Sequence, residues 1–558
     1  MEKSNPFTNL LIIENSARGF NWMLKITNSS TLEEHLAKIN PNVSEKFFNK
    51  SILEYWPQQG DILDLEKGIE TIADCLKHNK IIGIVGDYDV DGSSATALLI
   101  NYFKQIGINF IYHIPNRFTE GYGVSPIVLE KIIKADVFIT VDNGTTAYEA
   151  IDFIKNKGKK MIILDHHHLQ NPIEIDAFIN PHRQPNGFEI LCATGLVFIF
   201  LVELNKYLYE NKLIQENINV FNYIDMAAVA TVCDVMPLVG INRPMVALGI
   251  KKLKMKPRPG FKAMLKNTTN IDVQTIGFYI GPCINAAGRL ETASKAVDFL
   301  IEENEEKAAK FAEELVSINC RRKEIEKNVM EQAEKQINAL KLYEKPSITV
   351  FGDFFEGVIG IIAGRIKEKY NKPCCVLSEN DGKWKGSLRS VEGFHVGNLV
   401  KNAINEKIVS FGGGHEMAGG LTMEKTELQN FMDYFDNAVQ STNLSNKKEI
   451  FVDTLISLSA LKSTVDLMEK YAPFGPGNPE FLVMIPNCYV SVKRVMEKCC
   501  LVVCSNSDFK YKINCWLFIS QLEIIEYIKP HSFLSIVGYL YKKDNNIEIK
   551  LIDCITSV

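Results

Sequence analysis

Short runs of branched apolar residues, each followed by polar residues, recur along the chain from about residue 80. Three of these runs are Ile81–Val85, Val137–Val141 and Met161–Leu164. Between them, apolar residues follow helical spacing over Ser93–Ile106 and Thr145–Asn156. This alternation predicts a parallel sheet that is covered by helices on both faces. Ligands of such sheets bind at the carboxyl ends of the strands.

The pattern changes twice further along the chain. Residues 294–342 contain no Gly or Pro and repeat Glu, Lys and Ala with apolar residues at helical spacing, which predicts one extended helix or two nearly continuous ones. A second α/β pattern begins after Pro346 and ends near the polar segment Ser441–Lys448, which we interpret as a linker.

The last part of the chain is rich in β-type runs. Five of them predict a small barrel, of which the OB-fold is one option: Cys488–Val495, Leu501–Cys504, Tyr511–Ile519, Phe533–Tyr541 and Ile547–Ile552. The aromatic residues Tyr489, Phe509 and Trp516 either stack on the bases of a single strand or belong to the barrel core.

Composition narrows the class of protein. The chain has 558 residues, 46% hydrophobic and 23% charged, which is typical of a globular protein with several domains. The longest apolar run, near Gly195–Val202, is too short to span a membrane, and Leu10–Ile13 cannot form the core of a secretory signal. Thirteen cysteines without a Cys-x-x-Cys pair favour reduced thiols. We therefore expect a cytoplasmic protein with no membrane contact.

Net charge alone would favour a small-molecule enzyme, since it is −5. Residues 241–266, however, contain eight basic residues and no acidic one. This stretch is either a surface that attracts phosphates or a solvated basic helix face.

Three carboxylates alternate directly after the first predicted strand, at Asp87, Asp89 and Asp91. Carboxylates crowded at a strand end repel one another unless cations compensate, so the segment predicts a site for hard divalent metals. A calcium EF-hand is excluded because position twelve of its loop would be Leu98 rather than Glu, and because a strand precedes the motif.

Two further acidic loops follow the other predicted strands. Asp142 begins Asp142-Asn143-Gly144, and Asp165 begins Asp165-His166-His167-His168. A single Asp-Asn-Gly is usually a turn. Three acidic loops at the ends of three parallel strands instead predict a shared metal site, with imidazole as a ligand or proton carrier. Asp234 follows a predicted helix and could equally be an ordinary helix-end residue.

Together these segments resemble the DHH phosphoesterase superfamily, and within it the RecJ family, over residues 50 to 555. The motifs that carry the resemblance are Gly86–Gly92, Val141–Gly144, Asp165–His167, Asp234–Leu238, Asn285–Leu290, Asn319–Lys323, Gly386–Ser390, Gly412–Ala418 and Pro473–Glu480.

The resemblance implies a domain order and a set of site residues. The fold class is α/β, with an N-terminal segment (1–70), a parallel-sheet DHH domain (71–293), a connecting helix (294–342), a second α/β domain named DHHA1 (343–440) and an OB-like β-barrel (450–558). It also implies that two Mn²⁺ or Mg²⁺ ions are held by Asp87, Asp89, Asp91, Asp142, His166 and Asp234. His167 would lie beside the scissile phosphate, with Asp165 orienting the histidines. Substrate phosphates would be bound by Arg289, Ser387, Arg389 and His415.

Two positions depart from the family pattern. Some members of the superfamily have a metal-binding histidine where this chain has Val85, so that Asp87 would supply that ligand. Relatives commonly have arginine where this chain has Cys283, which leaves Arg289 as the nearby cation.

The implied function is a 5′-to-3′ exonuclease that degrades single-stranded DNA to mononucleotides in repair and recombination, with single-strand-binding protein and a helicase as partners. The alternative is a DHH phosphodiesterase for short oligonucleotides or cyclic dinucleotides. A catalytically dead scaffold would have lost acidic ligands that are present here, and a motor would need a Gly-x-x-x-x-Gly-Lys-Ser/Thr loop that is absent from the sequence.

Overall fold

The computed structural model describes residues 9–14, 16–27, 29–43, 46–49, 51–442, 449–518, 521–543 and 546–556. Its strands are β1 (Asn9–Ile13), β2 (Asn21–Ile26), β3 (Ile82–Val85), β4 (Phe110–His113), β5 (Val137–Val141), β6 (Lys160–Leu164), β7 (Ala177–Ile179), β8 (Ile348–Gly352), β9 (Cys374–Asn380), β10 (Lys383–Arg389), β11 (Phe411–Gly414), β12 (Ala418–Glu424), β13 (Glu449–Val452), β14 (Thr454–Leu455), β15 (Leu482–Val495), β16 (Cys499–Ser505), β17 (Lys512–Phe518), β18 (Phe533–Lys543) and β19 (Asn546–Thr556). Its α-helices are α1 (Leu32–Ile39), α2 (Leu65–Lys77), α3 (Val90–Ile106), α4 (Pro126–Lys131), α5 (Tyr148–Asn156), α6 (Ala193–Glu210), α7 (Ile224–Cys233), α8 (Asn242–Met255), α9 (Pro259–Met264), α10 (Val273–Thr275), α11 (Gly281–Leu290), α12 (Ser294–Ile301), α13 (Glu305–Ala339), α14 (Glu356–Tyr370), α15 (Val396–Asn405), α16 (Leu428–Gln440), α17 (Leu461–Met468) and α18 (Leu522–Tyr527).

The first unit is built on a parallel sheet with strand order β4-β3-β5-β6-β7. β3 and β5 are buried at every position, as expected for central strands that are covered on both faces. The predicted parallel sheet is therefore confirmed, and the carboxyl ends of β3, β5 and β6 lie side by side at one edge.

Two helices connect this sheet to the second unit, α12 and the 35-residue α13. The break between them comes at residues 302–304, where Asn304 accepts hydrogen bonds from the backbone N–H groups of Glu306 and Lys307 and caps α13. The predicted pair of nearly continuous helices is confirmed. The second unit has a mixed sheet in the order β11-β12-β10-β9-β8, with α14, α15 and α16 packed against it.

A barrel forms the last unit, since β15 pairs with both β16 and β18 and closes the sheet β15-β16-β17-β19-β18. The five predicted strands are confirmed. Part of the predicted linker, residues 443–448, lies outside the described residues. Directly after it, β13 pairs with β2 from the N-terminal segment.

The N-terminal segment divides between two units. Leu36, Ile39 and Phe47 pack in the barrel core, whereas Ile52 and Ile62 pack in the core of the parallel-sheet unit. Trp22 is fully buried, and its indole N–H donates to Asp553 Oδ2 at 3.0 Å. In this way the start of the chain joins the barrel to the parallel-sheet unit. Within the described residues, no helix combines the length and apolar character needed to cross a bilayer.

Candidate metal centre

The acidic segment after β3 turns directly into α3. Asp89 is the N-cap of that helix, and its Oδ1 accepts hydrogen bonds from the backbone N–H groups of Asp91 at 2.9 Å and Gly92 at 3.0 Å. An aspartate is a preferred N-cap because its carboxylate satisfies free N–H groups of the first turn. The cap fixes Asp89 at the edge of the sheet.

Asp91 lies deeper than its neighbours and is 1% exposed. Its two carboxylate oxygens accept hydrogen bonds from the backbone N–H groups of Ala193 at 2.7 Å and Thr194 at 2.8 Å. These N–H groups begin α6, where the helix dipole favours a negative charge. One oxygen of Asp91 also lies 3.7 Å from Nε2 of His166. Its role as a metal ligand stays a prediction.

Asp142 follows β5 in a left-handed backbone conformation, with φ of 63°. The neighbouring Asn143 holds this turn, since its Nδ2 donates to the carbonyl of Val141 at 2.8 Å and its Oδ1 accepts from the N–H of Val124 at 3.1 Å. The backbone therefore bends at Asp142, and the loop directs a carboxylate oxygen to within 3.2 Å of His166 Nε2.

Asp165 organises the two histidines that follow it. Its Oδ1 accepts from Nδ1 of His167 at 2.7 Å and from the N–H of His166 at 2.8 Å, while its Oδ2 accepts from the N–H of Thr145 at 2.9 Å. Burial opposes a positive charge on His167, but the hydrogen bond and charge of Asp165 outweigh it and raise the pKa of His167 to about 9. Asp165 therefore favours the protonated form of His167.

Asp234 lies at the carboxyl end of α7 and not on a strand of the sheet, and its side chain contacts the same histidine as Asp142 does. The helix ends there because the N–H of Met236 donates to the carbonyl of Thr231 at 3.1 Å and Val235 adopts a left-handed conformation with φ of 57°. One carboxylate oxygen of Asp234 lies 3.6 Å from Nε2 of His166.

The predicted ligands converge. Ligand atoms lie within 4.8 Å of one another in each of three groups: Asp87, Asp89 and Asp142; Asp91, His166 and Asp234; and Asp142, His166 and His167. All of the predicted ligands except Asp91 line a cavity of about 280 Å³. The cavity is lined by Asp87, Tyr88, Asp89, Arg117, Tyr122, Asp142, His166, His167, Asp234, Asn285, Gly288 and Arg289.

The electrostatics of this cavity favour the entry of cations. Burial, together with the negative charges of neighbouring aspartates, raises the pKa of Asp87 and of Asp142 well above the ordinary value and that of Asp234 to about 8. Among the described residues, Oδ1 of Asp87 is buried and has no hydrogen-bond partner. Buried acceptors are costly without a partner. This oxygen-rich donor set with one imidazole fits Mn²⁺ or Mg²⁺.

Two residues of the cavity wall were not singled out from the sequence. The hydroxyl of Tyr122 lies 3.2 Å from the carbonyl oxygen of Asp142 and 3.3 Å from Nε2 of His167. The guanidinium of Arg117 lies over the ring of Tyr88 at 4.9 Å. One signal was available, since Tyr122 stands between Gly121 and Gly123, which mark a turn a few residues after Arg117.

The predicted substrate-binding residues lie on the second unit and on α11. Arg289 lines the cavity, and its Nη1 donates to the carbonyl of Gly357 at 3.3 Å, which ties α11 to α14. Ser387 and Arg389 are neighbours on β10, with 3.4 Å between Arg389 Nη1 and Ser387 Oγ. His415 faces His168 across the cleft, with ring centroids 6.5 Å apart.

The two departures from the family pattern are both buried apolar positions here. Val85 is fully buried in β3, and Cys283 is fully buried in α11. The Sγ of Cys283 accepts a hydrogen bond from Nδ2 of Asn319 at 3.3 Å.

Among the residues that the structure describes, some of the basic residues in the stretch 241–266 have structural partners and others do not. Arg243 is buried and donates to the carbonyls of Phe47, Lys470 and Ala472, and Arg258 forms a two-fold hydrogen-bonded pair with the buried Asp225. Lys262 and Lys266 pair with glutamates of α13. These four residues have structural partners, which leaves Lys251, Lys252, Lys254 and Lys256 to define any phosphate-attracting surface.

Comparisons with known proteins agree with this architecture. Residues 81–231 match the DHH family, N-terminal domain, and residues 346–441 match the DHHA1 domain. The chain is 32% identical to the single-stranded-DNA-specific exonuclease RecJ of Salmonella typhimurium over 466 residues, which are 78% of this chain and 80% of that protein. It is 33% identical to RecJ of Escherichia coli over 413 residues, which are 69% of this chain and 70% of that protein.

Two solved RecJ structures are similar in fold to this chain. The crystal structure of RecJ from Thermus thermophilus in complex with Mn²⁺ has a TM-score of 0.79 at 21% identity and covers 96% of this chain and 80% of that one. A crystal structure of exonuclease RecJ bound to manganese has a TM-score of 0.61 at 27% identity and covers 69% of this chain and 96% of that one.

Proposed function

The chain belongs to the RecJ family of single-stranded-DNA-specific exonucleases, and we propose that it uses two Mn²⁺ or Mg²⁺ ions to hydrolyse single-stranded DNA from the 5′ end, releasing mononucleotides. The observation that carries this proposal is the convergence of Asp87, Asp89, Asp142, His166 and Asp234 on one cavity. Family membership supports the substrate, the polarity and a cytoplasmic role in repair and recombination. It also supports single-strand-binding protein and a helicase as partners.

The carboxylates hold the ions. Asp87, Asp89 and Asp142 form one oxygen-rich group, while Asp234 belongs to a second group with His166 and Asp91. When bound there, two divalent cations lower the pKa of a water molecule and neutralise charge on the phosphate oxygens.

The residues on the cavity wall act on the phosphate. With Nδ1 bound by Asp165, the positively charged His167 directs its Nε2–H toward the cavity, where it can donate to a phosphate oxygen. Arg117 and Arg289 add positive charge at the same wall. Burial lowers the pKa of Arg289 to about 10, so the guanidinium stays charged at neutral pH. These groups orient the phosphodiester and stabilise the charge that develops on it.

The second unit binds the nucleotide across the cleft. Ser387, Arg389 and His415 carry a hydroxyl, a guanidinium and an imidazole, all of which bind phosphate oxygens. Contact between the two units is close at Phe118 and Phe355, whose rings lie 5.9 Å apart.

The test is digestion of single strands labelled at either the 5′ or the 3′ end, in Mn²⁺, by the wild type and by Asp142→Asn. We expect mononucleotides from the 5′ end and loss of activity in the variant, because an amide cannot replace the charge of the carboxylate. Unchanged activity of the variant would remove Asp142 from the site. A preference for a dinucleotide over a long strand would favour the phosphodiesterase alternative.

A further inference from the structure

The carboxylate of Asp234 is held differently from the other predicted ligands. Asp87, Asp142 and His166 follow strands of the parallel sheet, whereas Asp234 comes from the end of α7. The side chain of Asp234 is 28% exposed, compared with 3% for Asp142 and 1% for Asp91. The position of this ligand therefore depends on the loop that follows it.

The residues of that loop do not favour the backbone conformation that the loop adopts. Val235 occupies the left-handed position at the end of α7, with φ of 57° and a side chain that is 66% exposed. A β-branched residue is disfavoured in this conformation by about 1–2 kcal/mol. Strain of this kind persists only where the surroundings impose it.

The surroundings are the tight turn Gly475–Asn478, which precedes the barrel. The carbonyl of Pro476 accepts a hydrogen bond from the N–H of Leu238 at 2.7 Å. A Cβ at Gly475 would lie 2.7 Å from Leu238 Cδ1, and a Cβ at Gly477 would lie 3.2 Å from Pro237 Cβ and Val239 Cγ1. The turn is therefore in direct contact with the loop that carries Asp234.

The turn itself is fixed on the barrel side. Gly475 and Asn478 exchange two backbone hydrogen bonds, of 2.9 and 3.0 Å, and Gly477 has the positive φ of 73° that this turn requires. The fully buried Asn478 donates to the carbonyls of Tyr471 and Pro473 and accepts from Asn40 at 2.9 Å. These contacts anchor the turn to the segment before the barrel and to the N-terminal segment.

We propose that the turn Gly475–Asn478 is a positioning element of the metal centre: by holding Leu238, it sets the place of the Asp234 carboxylate, and the barrel unit thereby contributes to metal affinity without contacting the metal. This inference rests on the proposed metal site. Pro476 and Gly477 act through Asp234, so a disturbance of the turn affects the ion that Asp234 binds.

The test measures Mn²⁺ binding to the full-length protein by isothermal titration calorimetry and electron paramagnetic resonance, without DNA. The variants are Gly477→Ala, Gly477→Val and Asp234→Asn. Gly382→Val is the matched control, because Gly382 also has a positive φ, of 79°, and has nothing within 4 Å of its Cβ position. Thermal melts of both valine variants compare the strain that each introduces.

We expect Gly477→Val to lower the affinity for one Mn²⁺ ion by about tenfold, which is the effect of changing residues that hold metal ligands in place. Gly477→Ala should lower this affinity less. Gly382→Val introduces the same kind of backbone strain without a steric clash, so it should lower Tm and leave the affinity for Mn²⁺ unchanged. In the Asp234→Asn background, Gly477→Val should have no further effect, because both changes act on the same ligand.

Equal effects of Gly477→Val in the wild-type and Asp234→Asn backgrounds would overturn the inference, as would unchanged affinity in both Gly477 variants. A wild type that binds no Mn²⁺ would contradict the proposed function as well, so the two failures are distinguishable.

Discussion

Nε2 of His166 lies 3.2 Å from Oδ1 of Asp142, although the two residues end different strands of the parallel sheet. The same carboxylate belongs to a group with Asp87 and Asp89. Asp142 is therefore shared between two groups of ligand atoms, which is the position expected of a carboxylate that bridges two cations.

The crowded carboxylate of Asp142 destabilises the folded protein when no cation is bound. Asp142 is 2% exposed and lies among like charges. We predict that Asp142→Asn, in EDTA, raises the free energy of unfolding by about 1 kcal/mol, because functional sites are commonly strained in this way. In Mn²⁺ the wild type should gain stability by mass action and the variant should gain much less. Urea denaturation in EDTA and in Mn²⁺ measures both effects.

Asp152→Asn is the control for this comparison, since Asp152 is exposed on α5. It should change stability by less than about 0.5 kcal/mol in either condition. An Asp142→Asn protein that is less stable than the wild type in EDTA would contradict the picture of a crowded, metal-seeking site.

Tyr122 offers a test of how His167 is oriented. Tyr122→Phe removes the hydroxyl that contacts His167 Nε2 and the carbonyl of Asp142. We predict a fall in kcat of about 10- to 100-fold, which corresponds to the loss of a hydrogen bond to a charged group worth about 1.5–3 kcal/mol. Tyr148→Phe is the matched control, because among the described residues the hydroxyl of Tyr148 has no hydrogen-bond partner. Equal rates for the two variants would exclude Tyr122 from the positioning of His167.

The sequence predicted the acidic site because its chemistry is encoded locally. Each of Asp87, Asp142 and Asp165 follows an apolar strand, and parallel strands bring their carboxyl ends to one edge. The role of Asp234 was ambiguous from the surrounding sequence, because an aspartate that follows a helix can be an ordinary helix-end residue. Its assignment came from the resemblance to a family, and the structure brings it to within 3.6 Å of His166.

Contacts between residues far apart in the chain could not be predicted. The N–H of Leu238 is bound by Pro476, and Trp22 is bound by Asp553. No periodicity links such positions, because each partner satisfies only its own local pattern. For the same reason, Arg243 was grouped with the basic stretch although its guanidinium is buried between units.

Arg243 should therefore stabilise the packing between units of the protein. Its guanidinium donates to three carbonyls, at 2.8 to 3.0 Å, and lies 4.1 Å from the ring centroid of Phe47. Arg243→Lys keeps the charge but loses the planar fork. We predict a loss of about 2–3 kcal/mol in the free energy of unfolding, the range of hydrogen bonds made by charged groups. Lys262→Ala, which breaks an exposed ion pair with Glu305, should cost less than about 1 kcal/mol. Equal losses would show that the hydrogen bonds of Arg243 contribute no more to stability than an exposed ion pair does.

The barrel aromatics divide into two groups, and only one of them faces the parallel-sheet unit. Trp516 and Phe518 lie on a groove of about 660 Å³ that also contains Lys254 from α8 and Lys550 from β19. Lys543 lies over the ring of Trp516 at 6.0 Å, and within the described part of the chain the indole N–H has no hydrogen-bond partner. Rings beside lysines suit the bases and phosphates of a single strand.

Tyr489 and Phe509 instead contact each other, with ring centroids 5.3 Å apart, away from this groove. We predict that Trp516→Ala weakens the binding of a long single strand by about 1–3 kcal/mol, the contribution of one stacked base, and leaves cleavage of a dinucleotide unchanged, because a dinucleotide does not extend beyond the metal centre. Phe509→Ala, which removes a ring that is 52% exposed, should alter neither measurement. Fluorescence anisotropy in EDTA measures binding without cleavage. If Phe509→Ala weakened binding and Trp516→Ala did not, the strand would run over the other end of the barrel, and the groove would have a different role.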